Sequence, residues 1–378
     1  MDGTTLRRLR ARARLNTLFA PSTLDGVVRR LGFVQADPIR APARAQDLIL
    51  RHRVRGYRAG DLERRFAGLE LEEDFLYAYG FMPGETRGLL HPRLNPGAVD
   101  GIHAPTGLAA EVLAFVCARG LTHPRDLEER FGRDRAVNGW GGFSKATTRA
   151  LEELHHYGLV RVARRRDGIR LYEAALPTTS VMEAAERARR AVMLVANILA
   201  PVSLVSLRGA LALMARRNPG LGPLGPVVVA ALGSGELEGK EIDGEHYVWP
   251  AAGTDWRDQE VPRDVRLLAP FDPLVWDRRR FEHLWGWAYR FEAYTPPPRR
   301  IFGYYALPML WGEAVIGWAN VSLPGGKLDV TLGYAEHCPQ GQAFRRALDA
   351  ELARMERFLT ARKRSGARHG GEGGPDQR

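Results

Sequence analysis

An Asp167-Gly168 pair stands between two alternating runs, Leu159-Val160-Arg161-Val162 and Ile169-Arg170-Leu171-Tyr172. Asp-Gly tolerates the positive backbone angles of the tight turn whose twist suits paired strands, so it predicts a β-hairpin. Three helical patterns precede it. Residues 108–119 are amphipathic, Thr122-His123-Pro124-Arg125-Asp126-Leu127 reads as a cap with a proline-started helix, and a third helix runs from Lys145 to His156 before Gly158 stops it. Three helices followed by a hairpin is the plan of a winged helix, with the helix from Lys145 as the recognition helix and Arg164-Arg165-Arg166 at the tip of the wing.

The same order recurs more weakly downstream. Residues 180–199, 203–215 and 227–232 are helical in pattern, and an acidic hairpin comes after them around Asp243-Gly244. Glutamates on that wing repel phosphates, so a structural role is expected for it. From about residue 264 the pattern changes to short, aromatic-rich strands over 302–310, 313–321 and 327–334, as in a small barrel or sheet, and a helix over 342–362 closes the chain. At the other end, residues 4–18 form a basic helix, and a second begins at Ser22-Thr23 and ends at Gly32. The fold class is therefore α+β: tandem winged-helix motifs, then a small β-barrel and a C-terminal helix. The division is 1–104, 105–177 (a winged helix), 178–262 (another), 263–364 (barrel and closing helix) and a Gly- and Arg-rich tail, 365–378, expected to be disordered.

Charge narrows the partners. Lys plus Arg total 55 against 44 acids, a net charge of +11, and only Lys145, Lys240, Lys327 and Lys363 are lysines. An arginine preference fits a GC-rich genome, but the excess over acids attracts polyanions, and phosphate contact is the main source of affinity for nucleic acid. No run approaches the ~20 apolar residues that span a bilayer. With two cysteines, Cys117 and Cys338, and no secretory pattern at the start, the expectation is a cytoplasmic protein without disulfides, metal or cofactor.

Four segments carry a resemblance to the AlkZ/YcaQ family of DNA glycosylases. The first runs from Arg30 to Ile39 and contains Gln35-Ala36-Asp37-Pro38; it is similar to the family's catalytic Gln-x-Asp or Gln-x-Gln segment. The second comprises Trp140, Ser144 and Arg170-Leu171-Tyr172. The third is Leu268-Ala269-Pro270-Phe271-Asp272-Pro273 continuing to Arg278. The fourth joins Tyr289-Arg290-Phe291-Glu292-Ala293-Tyr294 to Arg300-Ile301-Phe302-Gly303-Tyr304-Tyr305-Ala306-Leu307-Pro308. The resemblance implies three tandem winged helices, the first within 1–104, and a small barrel around double-stranded DNA. It also implies excision of alkylated bases, in some members unhooking of interstrand cross-links, and the Asp-containing motif of the YcaQ branch. The chain departs from the family pattern at Leu15-Asn16-Thr17-Leu18, Gln46-Asp47, Tyr77 and Trp318. On this resemblance Gln35 and Asp37 are the catalytic pair, and Arg44, Arg51, Arg53, Lys145, Arg164, Arg165 and Arg166 are DNA contacts.

Hydrolysis of an N-glycosidic bond needs a positioned water and a negative charge beside an oxocarbenium-like sugar. Two residues apart in an extended segment, Gln35 and Asp37 share a face, so the amide and the carboxylate can hold one water between them. No lysine precedes Lys145 to form a Schiff base, which favours a monofunctional, water-using enzyme. From the residues alone another reading stands beside this one: Asp-Pro is a common turn pair, and Asp37 then only caps the segment beyond Pro38. Likewise Arg44, Arg51 and Arg53 read equally as a solvated strand, Glu72, Glu73 and Asp74 as a solvated edge, His155 and His156 as surface residues, and Trp276, Trp285, Trp287, Tyr289 and Phe291 as core. The alternative function is a non-catalytic winged-helix regulator or damage-recognition protein. No obligate protein partner is expected.

Overall fold

The computed structural model describes residues 3–94, 101, 103–137, 143–176, 182–252 and 260–360. Trp140 and the tail 365–378 lie outside the described residues.

Helix α1 (Gly3–Thr17) carries the N-terminal arginines. Its stripe of Leu9 and Ala13 is buried against residues 268–315, and its cations find partners inside the protein. Arg10 donates to the Leu284 carbonyl, and Arg14 to the Gly312 carbonyl and Asp264. Arg7 pairs with Glu313 at 2.8 Å. Helix α2 (Leu24–Leu31) starts where Thr23 Oγ1 accepts from the Gly26 amide and stops at left-handed Gly32. The chain then extends as β1 (Val34–Gln35) before the short helices α3 (Ala45–Leu50) and α4 (Asp61–Arg65). A hairpin comes next, β2 (Leu71–Phe75) and β3 (Tyr79–Pro83), and β1 adds to its β3 edge, giving the order β1-β3-β2. Glu72, Glu73 and Asp74 are thus buried on β2 and do not form a solvated edge. Helix α5 (Arg87–Leu90) ends this part.

Helices α6 (Gly107–Arg119) and α7 (Pro124–Phe131) lead to a two-stranded pair, β4 (Arg135–Val137) with β5 (Phe143–Lys145), and to α8 (Ala146–His156). Beyond α8 lies the hairpin of β6 (Val160–Arg166) and β7 (Ile169–Ala174). Asp167 and Gly168 turn it with φ of 53° and 85°, the double positive φ that a two-residue loop of this twist requires. A comparable series continues the chain: α9 (Ala184–Leu199), β8 (Val202–Ser203), α10 (Leu204–Arg217), α11 (Gly225–Gly233), and the hairpin β9 (Leu237–Ile242) with β10 (Glu245–Pro250), turned by Asp243 and Gly244.

The last part holds β11 (Val265–Leu267), α12 (Arg278–Trp285), β12 (Leu307–Trp311), β13 (Ala314–Ser322), β14 (Asp329–Tyr334) and α13 (Gln342–Thr360). The strands form an antiparallel sheet in the order β11-β12-β13-β14. This corrects the expected barrel. Closure requires the first and last strands to pair; here β11 and β14 remain the two edges, and α13 buries Phe344, Met355, Phe358 and Leu359 in a core shared with the sheet's Val265, Leu267, Leu307 and Met309. The strand expected from residue 302 also starts later. The Glu292 carboxylate accepts from the amides of Ile301, Phe302 and Gly303, so those amides do not join a strand ladder.

Burial crosses the sequence divisions. One core joins residues 19–81, 109–172 and 265–359. The aromatic cluster is core as expected: Trp287 stacks on Trp318 at 5.8 Å, which accounts for Trp318, and Tyr77 packs between Phe33 and Trp276 at 5.1 and 4.7 Å. No helix among the described residues is long and apolar enough to cross a membrane.

Candidate active site

Gln35 and Asp37 sit where α2 hands over to the first sheet. Val34 faces Phe81 and Gln35 faces Gly80 across the β1-β3 ladder, and the Ala36 amide extends it to the Tyr79 carbonyl at 2.9 Å. Gly80 is required here, because a Cβ would strike the Val34 carbonyl and the Phe33 ring. Pro38 then ends the strand. Asp37 does act as the turn residue the local pattern suggested: its Oδ1 accepts from the Ile39 amide at 2.9 Å. Its other oxygen has no hydrogen bond among the described residues. Gln46, buried on α3, accepts from the Asp37 amide at 3.4 Å and so steadies the backbone that carries the carboxylate.

Gln35 Oε1 is buried without a partner among the described residues. Asp37 is half-buried, and burial raises its pKa above the ordinary carboxylate value, only partly offset by the Ile39 amide. Among the described residues no cation forms an ion pair with Asp37.

Arg40 and Arg44, which follow the pair in the chain, meet the tip of the β6-β7 hairpin. A Cβ on Gly168, at the hairpin tip, would fall against the Arg44 guanidinium and approach that of Arg40. Arg44 pairs with Glu63, and burial first, then the charges of Arg40 and Arg165, push its pKa down to about 10. The three tip arginines are divided by the strand pleat. Arg164 and Arg166 are exposed, whereas Arg165 points inward to Glu73. Arg165 is therefore a structural cation, which corrects its expected place among DNA contacts.

Arg51 and Arg53 are corrected in the same way. Arg53 is fully buried, its guanidinium forked onto Asp272 at 2.8 and 2.9 Å while it also donates to the Thr17 and Ile49 carbonyls. Arg51 pairs with Glu351 of α13, and the Leu267 carbonyl accepts from it at 3.2 Å. A guanidinium buried in the interior beside a carboxylate does not reach a phosphate on the surface. Arg51 ties the turn after α3 to β11 and α13, and Arg53 ties it to the loop that follows β11. Lys145 stands at the N-cap position of α8, and its exposed side chain pairs with Glu128 without bonding the helix end.

Glu73 carries the wing. It is fully buried and accepts from Arg165 Nε at 2.8 Å, Arg170 Nε at 3.1 Å and Tyr79 Oη at 2.7 Å. Burial opposes its ionisation, but Arg165, Arg170 and Tyr79 outweigh that and hold its pKa below the usual range. Since the Tyr79 backbone pairs with Ala36, this one carboxylate fixes the hairpin relative to the Gln35–Asp37 segment. Beside it, Asp74 accepts from His91 Nε2 at 2.6 Å and from Arg93. His155 is buried against the Glu73 carbonyl at 3.0 Å and is not a surface residue. Sequence patterning marked Glu73 only as part of an acidic run, because its two cationic partners are 92 and 97 positions away. Exchange of Glu73 for Gln leaves two guanidiniums without an anion. It is expected to lower stability by about 3 kcal/mol, the scale of a broken buried pair. Urea denaturation measures this, and a loss below about 1 kcal/mol would show that the wing is held by its apolar packing instead.

Helix triplets followed by hairpins, with a carboxylate near a basic hairpin tip, have the build of a nucleic-acid-processing protein. The chain belongs to the AlkZ-like DNA glycosylase family: the family model described as DNA glycosylase AlkZ-like matches residues 28–358, a span that contains Gln35, Asp37, Glu73 and the whole hairpin. The solved structure of Streptomyces sahachiroi DNA glycosylase AlkZ is similar in fold, with a TM-score of 0.59 over 93% of this chain and 96% of that one, at 16% identity.

Proposed function

We propose that the protein is a monofunctional DNA glycosylase that removes alkylated or cross-linked bases by water attack on the N-glycosidic bond, with Gln35 and Asp37 as the pair that holds and activates the water. The observation that carries this reading is the unpartnered, buried Gln35 Oε1 two residues from a half-buried carboxylate with one open oxygen. The water oxygen bonds to C1′ as the bond to the base nitrogen breaks. The bonding pair leaves with the base, and one water proton passes to Asp37. An N-alkylated base departs as a neutral molecule, so a strong acid is not needed. Asp37, as the anion, also stabilises the positive charge that develops on the sugar.

In this reading residues 1–104, 105–177 and 178–262 are three winged-helix units, and 263–364 is the sheet-and-helix unit that closes the site. Double-stranded DNA lies across the rim of Arg40, Arg44, Arg164 and Arg166. Exposed Tyr294, Ile301 and Tyr304 project from the segment that Glu292 braces and suit contact with sugar and base faces. The test is incubation of the protein with duplexes carrying N7-alkylguanine or a nitrogen-mustard cross-link, followed by an assay for abasic sites. Binding without abasic sites would leave the non-catalytic DNA-binding reading.

A second measurement examines the rim. Arg164→Ala with Arg166→Ala should weaken binding to all duplex sequences alike and reduce the slope of log affinity against log salt by about one for each phosphate that is no longer neutralised. Fluorescence anisotropy over a salt series reads this. An unchanged slope would remove the hairpin tip from the interface.

A further inference from the structure

Arg40 and Arg44 converge on one point of the fold. Arg40 Nη2 and Arg44 Nη2 both lie within 3.0 Å of the position that a Cβ on Gly168 would take, so the two nitrogens are no further apart than twice that distance. Gly168 turns the hairpin there with φ of 85° and lacks the side chain that would push the guanidiniums away. Arg44 pairs with Glu63 through Nη1, and its Nη2 has no hydrogen-bond partner among the described residues. Arg40 is exposed and forms no ion pair among them. Asp167, the acid of the turn, is exposed and pairs with neither arginine among the described residues. Glu73 is engaged by Arg165 and Arg170, and Asp47 by Tyr57 and the Gly60 amide. Like charges held this close repel unless an anion lies between them, and burial, followed by the charges of Arg40 and Arg165, depresses the Arg44 pKa to about 10.

Resting on the glycosylase reading above, we propose that Arg40 and Arg44 form a two-guanidinium clamp for one backbone phosphate of the bound DNA, close to the target base. A phosphate oxygen accepts from a guanidinium at about 2.8 Å, so a single phosphate spans both nitrogens at their separation. The chain sets where along the DNA this phosphate lies. Arg40 comes three residues after Asp37, so their Cα atoms are at most about 11 Å apart. With the length of an arginine side chain added, and about 3.4 Å per nucleotide step, the phosphate falls within about five nucleotides of the base that Asp37 serves. The clamp thereby holds the DNA backbone in register with the Gln35–Asp37 segment. Arg40 and Arg44 are positioning residues and touch no reacting atom.

The test uses duplexes that carry a stable abasic-site analogue and one neutral methylphosphonate, placed in turn at each of the five linkages on either side of the analogue in both strands. Fluorescence anisotropy gives the affinity of the parent protein and of Arg40→Gln for each duplex. Arg40 is exposed, so the variant should melt with the parent. On the duplex without a methylphosphonate, Arg40→Gln is expected to bind about tenfold more weakly, the scale of one charge-assisted hydrogen bond. At one linkage the methylphosphonate should weaken the parent by a similar factor and the variant no further, whereas at the others the two losses should add. Arg44→Gln should show the same non-additivity at the same linkage. Losses that add at every linkage, or parental affinity in Arg40→Gln, would overturn the clamp. The glycosylase reading fails separately, by absence of excision from duplexes carrying N7-methylguanine, because the binding measurement needs no cleavage.

Discussion

Asp37→Asn is expected to reduce excision by about 10³-fold, within the usual range for loss of a positioned base, and to leave duplex binding unchanged. The asparagine retains the size of the side chain and an oxygen for the Ile39 amide, but it accepts no proton from water. The sign of the electrostatics argues against loss of activity by misfolding. Burial raises the pKa of Asp37, so the group adds stability below its unfolded value and loses it as pH rises through the folded one. At neutral pH the charge is a net cost to folding, and its neutral replacement should melt no lower than the parent. The same shift places the acid limb of excision above the ordinary aspartate value, with activity rising as pH climbs through it. Single-turnover assays at several pH values and a thermal melt of the variant measure both effects. Excision by Asp37→Asn at the parental rate would remove Asp37 from the mechanism.

Asp272→Asn is expected to be the most damaging change to stability, by about 3–5 kcal/mol. Arg53 and Asp272 are both fully buried and joined by two hydrogen bonds, and the substitution leaves a guanidinium in the interior with only carbonyls to receive it. The paired change Arg53→Met with Asp272→Leu should recover much of the loss, because removing both charges removes the desolvation cost together with the attraction. Urea midpoints of the single and double variants decide the point. A single-variant loss under about 1 kcal/mol would show that the link from the turn after α3 to the last part of the chain depends on apolar packing and the Arg51–Glu351 pair.

The two readings of Asp37 available from the residues are compatible in the folded chain. One carboxylate oxygen serves the turn at Ile39 and the other remains open. The departures from the family pattern are likewise accommodated. Gln46 steadies the Asp37 backbone, Asp47 accepts from Tyr57 and the Gly60 amide, and Tyr77 and Trp318 are absorbed into aromatic packing. The basic segments were legible as basic but not as to what each cation meets. Of Arg44, Arg51, Arg53 and the three hairpin arginines, only Arg164 and Arg166 are left exposed at the rim. Strand pleating explains the division at the hairpin, while the turn that follows helix α3, in place of the expected extended segment, carries Arg51 and Arg53 into the interior.

Local structure was determined by the sequence on its own. Asp167-Gly168 and Asp243-Gly244 turn their hairpins, Thr23 and Gly32 bound a helix, and Pro38 ends the strand that carries Gln35, because each effect is set by residues a few positions apart. Only the tertiary structure decided the partners. Arg53 meets a carboxylate 219 residues away, Arg165 turns to Glu73, and the last four strands stay open beneath α13. A charged or hydroxyl side chain is the same chemical group in either setting. Whether it faces a phosphate, a water or a buried counter-ion depends on which distant surface the packing of the core brings to it.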